Sequence, residues 1–373
     1  MSACDDHAPL ARTPLYALHQ ELGARMVPFA GYTMPLQFRT GIVREHLHTR
    51  AEAGLFDVSH MGQFRLTGDL SALERLCPID VDSLQPGQQR YTVLTDDRGG
   101  ILDDLMVSRI DDYLMLVVNA ARKNDDAAHL RQHLGADCSV EALAERALLA
   151  LQGPAAATVL ARLAPQATRL VFMTGGWFRM ADAACYVTRA GYTGEDGFEI
   201  SVPGSAAESL ARALLAQPEV APIGLGARDS LRLEAGMCLY GHDIDAGTSP
   251  VEASLVWAIA RTRRDGPRRG GFPGADIILA QLREGVTRQR TGILPEGRVI
   301  VRDGAELRAA TGEVVGRVTS GGFSPTLNRP IAMAYVQTGS AQPGTFVTAQ
   351  VRDKALPARV VHLPFVAPRY HRG

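Results

Sequence analysis

Cysteine is scarce in this 373-residue sequence: Cys4, Cys77, Cys138, Cys185 and Cys238 are odd in number and never in C-x-x-C spacing. That argues against a disulfide framework or a cysteine-rich zinc site and points to reduced, buried thiols in a cytoplasmic protein. An excess of either charge is also lacking, since 39 basic residues face 40 acidic ones. No global field attracts nucleic acid or an anionic membrane, so an anionic ligand must be met by a local cluster. No apolar run approaches the roughly 18 residues of a membrane span. The first ten residues, MSACDDHAPL, carry two acids and no apolar stretch of a secretion signal.

Nucleotide and metal motifs are missing too. There is no G-x-x-x-x-G-K-[ST]; the nearest stretch, GRVTSGG at 316–322, lacks the phosphate-reaching lysine. GLGARDS, from Gly224, has two of the three glycines of a dinucleotide fingerprint. His46 and His48 are two apart, which on a helix sends them to different faces, and no H-E-x-x-H occurs. Neither a nucleotide nor a metal is expected.

What is present is globular in balance, 46% hydrophobic and 21% charged, and long enough for two or three packed domains. VPFAGYTMPLQF (27–38) reads as a Pro/Gly-punctuated loop, too apolar for a simple surface connection, and a helix follows over 41–53. Alternation marks a strand at 63–66, and 71–76 reads as a short helix. The segment 89–119 holds three β-rich runs separated by DDRGG and IDD, the pattern of an antiparallel meander. Helical periodicity covers AARKNDDAAHLRQHL and, after LQGP, AAATVLARLA, with further helices over 206–216 and 227–235. A second strand pair lies between them around 176–203. RTRRDGPRRGGFPG (261–274) reads as an arginine-rich linker, and short turn-bounded β runs beyond Thr287 suggest a small barrel or sandwich. Mixed strands and helices without βαβ repetition indicate an α+β fold.

Three constellations could carry chemistry. Asp103 and Asp104 adjoin inside an apolar strand, where neighbours point to opposite faces, so one carboxylate must face inward. It either lines a ligand cavity or belongs to an edge strand with one acid ion-paired and the other in water. GYTGEDGFEIS (191–201) gathers Glu195, Asp196 and Glu199 at a turn, either as an acidic surface or as a site. Arg228 and Arg232, four apart on one helix, could clamp a carboxylate or lie in water.

RTPLYALH (12–19), PFAGYTMPLQF, LFDVSHMG (55–62), GGILDDLMV (99–107), VVNAARK (117–123), LQGP, GYTGEDGFEISVP, ARDSLRLEAGMCLYGHDI (227–244), PVEASLVWA (250–258), TSGGFSPTL (319–327) and LPFV (363–366) run almost end to end in the chain. In this order they resemble the signature stretches of the glycine-cleavage T-protein family. The resemblance implies a three-domain cloverleaf around a central folate channel: a folate-binding region over 1–275, made of two intertwined mixed α/β subdomains (about 1–55 with 140–275, and 56–139), and a C-terminal all-β barrel or jelly-roll-like domain over 285–373. It implies an aminomethyltransferase that moves a methylene carbon from the lipoylated H-protein to tetrahydrofolate, with release of ammonia. The enzyme is expected as a monomer or weak dimer. Asp104 matches the family's catalytic aspartate. Glu199 and Arg228 match folate-pocket positions, Tyr370 a C-terminal ligand-contacting tyrosine, and Met61, Tyr91, Asn119, Arg232 and Trp257 lining positions. A carboxylate such as Glu199 suits the amino-pyrimidinone edge of a pterin, and aromatic residues offer faces for its rings.

The chain departs from the family pattern in the arginine-rich segment, at Ile300 where proline is usual, and at Arg369 and His371 beside Tyr370. Two other activities share the fold: a folate-dependent demethylase of a small methylated substrate, and a folate-binding iron–sulfur assembly factor with K-G-C-Y-x-G-Q-E. LEAGMCLYGHDI at 233–244 lacks that last motif. Charge in the segment 261–269 is expected to steer an acidic partner or a polyglutamate tail.

Overall fold

The expected meander forms three consecutive antiparallel strands, Gln89–Thr95, Ile101–Ile110 and Tyr113–Val118, in the computed structural model, which describes residues 9–373. The first turn follows from DDRGG. Asp96 Oδ1 accepts from the Arg98 and Gly100 amides, and Gly99 takes φ +78°, open to glycine at little cost. Gly100 packs against the 245–248 segment so closely that a Cβ would sit 2.0 Å from the Ala246 carbonyl oxygen. Strands Gly62–Gly68 and Cys138–Ala142 complete a five-stranded antiparallel sheet. The helix Lys123–Leu134 covers one face, burying Ala127, Leu130 and Leu134 against Leu105, Val107 and Leu116. Each such leucine contributes roughly 1.5–3 kcal/mol by leaving water.

A six-stranded sheet runs in the order Gly175–Met180, Ala183–Thr188, Gly197–Pro203, Arg146–Gln152, Ala53–Asp57, Val220–Ile223. Only the last pair is parallel. Helices Ala156–Leu163 and Gly204–Leu215 seal its outer face with Val159, Leu160, Leu210 and Leu214. The C-terminal strands close a six-stranded barrel, because Arg288–Pro295 pairs with both Arg329–Gln337 and Lys354–Val361. The fold is thus α+β with a C-terminal all-β barrel, as the sequence indicates. No helix of the described residues is long and apolar enough to cross a membrane.

Two segments differ from their sequence reading. The loop over 27–38 is most of a β-hairpin, Arg25–Phe29 with Tyr32–Gln37, turned by Ala30 and Gly31 at φ +47° and +79°. Two positive φ values give the primed turn that suits strand twist. Pro28 and Pro35 hid the strands, but a two-stranded ribbon has free edges that tolerate proline.

The arginine-rich stretch is no linker. Arg261–Arg264 is a helical turn, and Arg263, buried, donates to the Glu74 carboxylate, the Glu74 carbonyl (3.0 Å) and the Gly270 carbonyl (3.0 Å). Arg268 bridges Glu74 (3.1 Å), Asp82 (2.9 Å) and Asp80. Two of its five guanidinium groups, one buried and one at the surface, are therefore neutralised by intramolecular ion pairs, which removes them from any long-range steering.

Candidate functional site

Strand alternation sends Asp103 and Asp104 to opposite faces, and the two differ in enclosure: Asp103 is fully buried, whereas Asp104 is half-buried. Asp103 points with Leu105 and Val107 toward the Lys123–Leu134 helix and is fully buried. Asp104 turns toward the opposite side, where the nearby Tyr91 hydroxyl eases its ionisation. Asn119, just past the neighbouring strand, joins the two acids: its Nδ2 donates to Asp103 Oδ1 (2.8 Å) and Asp104 Oδ1 (2.7 Å), and its backbone N–H to Asp103 Oδ2 (3.1 Å). Burial first, and the adjacent Asp103 second, push Asp104 up to about 7. A carboxyl poised there can give or take a proton near neutrality. The Tyr91 ring meets Trp257 at 4.9 Å between centroids, and Trp257 is 64% exposed, an aromatic wall open to a ligand.

The face carrying Asp104 looks toward the six-stranded sheet. A small cavity between the sheets is lined by Gln89, Ser108 and Val117 from one side and Tyr186, Thr188 and Glu199 from the other. Glu199 sits mid-strand, paired across to Ala150 and Thr188. Burial raises its proton affinity, and Arg228 opposes that rise. Neither the Glu199 carboxylate nor the Arg228 guanidinium makes a hydrogen bond or ion pair among the described residues. Arg228 instead lies 4.7 Å over the Tyr192 ring. Two opposite charges, half-buried and without hydrogen-bonding partners among the described residues, are costly to the fold alone. They leave an acceptor and a donor unmatched among the described residues, a socket of two unpaired charges.

The other acids of the 191–201 turn are accounted for by arginine. Glu195 pairs with Arg50 (2.7 Å) and Arg369 (2.6 Å), and Asp196 takes a forked contact from Arg189 (3.0 and 2.6 Å). Of that turn's three acids, Glu199 alone remains available.

The structure brings Asp104, Asn119, Tyr91 and Trp257 together, and Glu199 with Arg228. Tyr192 joins the two groups electrostatically, since Arg228 and Asp104 both act on it. Met61 is half-buried against the apolar cluster that includes Leu148, a residue that also lines the cavity. Arg232 is separated from Arg228 in role: it donates to Asp229 (2.8 Å), Asp243 (2.7 Å), the Met237 carbonyl (3.2 Å) and Ser320 on the barrel (3.0 Å). It clamps the barrel to the helix Leu225–Glu234 rather than presenting a free fork. Tyr370 stacks flat on Phe172 at 4.0 Å, near the Arg50–Glu195 pair.

Residues the sequence reading passed over are Tyr192, His60 and Asp126. Tyr192 lies inside the GYTGEDG motif, which was itself a signal. His60 is buried, with Nδ1 lacking a partner among the described residues, and burial with nearby Arg228 holds it down to about 4. Asp126 looks like an ordinary solvated acid in the first turn of a helix, and only the fold reveals that it is buried.

Comparison with known proteins adds independent findings. Residues 15–263 match the family model described as the GCVT N-terminal domain, and residues 288–367 match the glycine cleavage T-protein C-terminal barrel domain. The chain is similar to proteins named "Aminomethyltransferase, mitochondrial" from Gallus gallus, at 47% identity over 97% of this chain and 94% of that protein, and from Solanum tuberosum, at 45% over 98% and 92%. The crystal structure of glycine cleavage system aminomethyltransferase T from Bartonella henselae superposes with a TM-score of 0.90, at 44% identity, covering 97% of this chain and 99% of that one.

Proposed function

The chain belongs to the glycine-cleavage T-protein family, and from that membership we propose how its own residues carry an aminomethyltransferase reaction. It is a transferase of the glycine cleavage system. Its acceptor, in our reading, is tetrahydrofolate, with the pterin edge held by Glu199 and Arg228 in the cavity between the sheets. The observation that carries this reading is the pairing of an unpartnered Glu199–Arg228 socket with an Asp104 carboxyl poised near neutrality on the facing sheet.

The donor is an aminomethyl group held by a thioether on the reduced lipoyl arm of H-protein. Two carbon–nitrogen bonds form, from the methylene carbon to the two folate nitrogens. The carbon–sulfur and carbon–amine bonds break, and the two folate N–H protons leave with ammonia and the thiol. Asp104 holds a proton in transit and stabilises positive charge on the attacking nitrogen. Asn119 and Tyr91 fix its carboxylate, and Trp257 with Tyr91 offers flat faces at the entrance.

We place the enzyme, as a monomer or weak dimer, in a reducing cytoplasm, supported by the free, buried state of Cys77, Cys138, Cys185 and Cys238. The relatives named above from Gallus gallus and Solanum tuberosum are mitochondrial. Cys4 lies outside the described residues. The test is to incubate the protein with tetrahydrofolate and aminomethylated H-protein and to follow ammonia and methylene-folate. Turnover with free dimethylglycine, and none with H-protein, would overturn the donor.

A further inference from the structure

Behind Asp104 lies a second pair of acids that the reaction just described does not use. Asp103 and Asp126 are 0% and 1% exposed, one on the strand Ile101–Ile110 and the other on the helix packed over it, within hydrogen-bonding reach of each other. Among the described residues no arginine or lysine donates to either carboxylate. Arg122, one turn before Asp126, gives its Nη1 to Asp125 at 2.7 Å. Asp126 Oδ2 is buried without a donor. The other titratable neighbours are Asp104 on the same strand and Tyr240 from the loop that follows the Leu225–Glu234 helix. Two ionised carboxylates cannot share such a place, so a proton must supply the missing donor.

We propose that Asp126 is a positioning residue for Asp104: it holds one proton in common with Asp103, and the pair, acting through Asn119, aims the Asp104 carboxylate and sets its charge environment. The inference rests on the reading of Asp104 given above. Both oxygens of Asp103 accept from Asn119, which fixes the side-chain amide so that its second Nδ2 hydrogen points at Asp104 Oδ1. The pair carries one negative charge while the proton is shared and two once it is lost, one residue away from Asp104. Burial raises the proton affinity of both members, and Asp126 raises that of Asp103 further, so the shared proton persists at neutral pH. As pH rises, ionisation of Asp104 and ionisation of the pair oppose each other, and the titration of activity is spread over more than one pH unit.

Asp126→Asn separates this role from packing. Its amide donates to Asp103, keeps one negative charge on the pair and removes the titration. Expected is a kcat at pH 7 within about threefold of wild type, with a pH limb that steepens from a shallow slope to that of a single proton. A direct reading comes from infrared spectra of unliganded protein with 13C-labelled aspartate in the Asp104→Asn background, where Asp104 no longer contributes. A protonated-carboxyl band at pH 7, lost on adding Asp126→Asn, supports the shared proton. No such band in Asp104→Asn sinks the inference while leaving the role of Asp104 intact. A band with an unchanged pH limb in Asp126→Asn rules out positioning. Full activity of Asp104→Asn removes the reading on which the inference rests, whatever the band shows.

Discussion

Asp104→Asn is expected to abolish turnover and stabilise the fold together. The amide oxygen can still accept from Asn119 Nδ2, 2.7 Å away in the native protein, so the local geometry survives. What disappears is the proton-carrying function, worth about 10²–10⁴ in rate. What is gained follows from the raised proton affinity. An ordinary aspartate titrates at 3.8 and Asp104 at about 7. A group whose folded value is raised loses stability as pH climbs from the unfolded value to the folded one, and the loss is complete above it. Roughly three units at 1.36 kcal/mol each put the penalty near 4 kcal/mol above pH 7 and near zero at pH 4. Thermal unfolding of wild type and Asp104→Asn at pH 4.5 and pH 8 reads the difference. The variant's midpoint should exceed wild type at pH 8 and approach it at pH 4.5. Equal midpoints at both pH values would refute the claim that Asp104 is held against its solvation preference, and near-normal turnover would refute its catalytic role.

Glu199→Gln keeps shape and loses charge, so folate affinity should fall about 10- to 100-fold, the worth of one charged hydrogen bond, with kcat little changed; calorimetric titration checks this. Arg228→Met strips Glu199 of its neighbouring cation, leaving it protonated to higher pH, so folate binding should weaken at pH 7 and recover in part as pH rises. Arg263→Ala leaves buried Glu74 to Arg268 and the Val81 amide and should cost somewhat less than the roughly 3–5 kcal/mol of a fully unpaired buried charge in urea unfolding; folate affinity measured on the folded variant should not move.

How much of this was legible in the sequence depends on the distance between partners. Strand alternation placed one of Asp103 and Asp104 inward from two adjacent letters. That one is fully buried and the other half-buried depends on a helix and a second sheet facing opposite sides of the strand, which no local pattern reports. The spacing of Arg228 and Arg232 grouped them on one helix face. Their separation into a free guanidinium and a clamp depends on Asp243 and Ser320, the latter 88 residues on. The arginine-rich stretch read as a linker because Gly and Pro dominate its local signal, whereas its buried partner Glu74 stands 189 residues away. The helices and the meander, whose signals are periodic within a dozen residues, came out close to their observed bounds.

The distribution of arginine separates acids that hold the structure from acids that are available to a ligand. Glu74, Asp80, Glu195, Asp196, Glu234 and Asp243 each meet at least one guanidinium at a junction between elements. The aspartates and glutamates pushed upward by burial are Glu45, Asp103, Asp104, Asp126 and Glu199. Glu45 is satisfied by two backbone amides, those of Phe38 (2.6 Å) and Gly224 (2.8 Å), and ties the hairpin to the helix Leu225–Glu234. Of the remaining four, Glu199 lines the cavity between the two sheets, and Asp103, Asp104 and Asp126 sit together on the strand Ile101–Ile110 and the helix packed over it. A chain with 39 basic residues that withholds hydrogen-bonded arginine from Asp104 and Glu199 leaves charge there for a substrate to complete, while Asp103 and Asp126 are completed from within. Stability is lowered in the empty enzyme and recovered when ligand binds. Saturating tetrahydrofolate should therefore raise the wild-type unfolding midpoint more than that of a Glu199→Gln variant, and an equal rise in both would break the link between unpaired charge and binding.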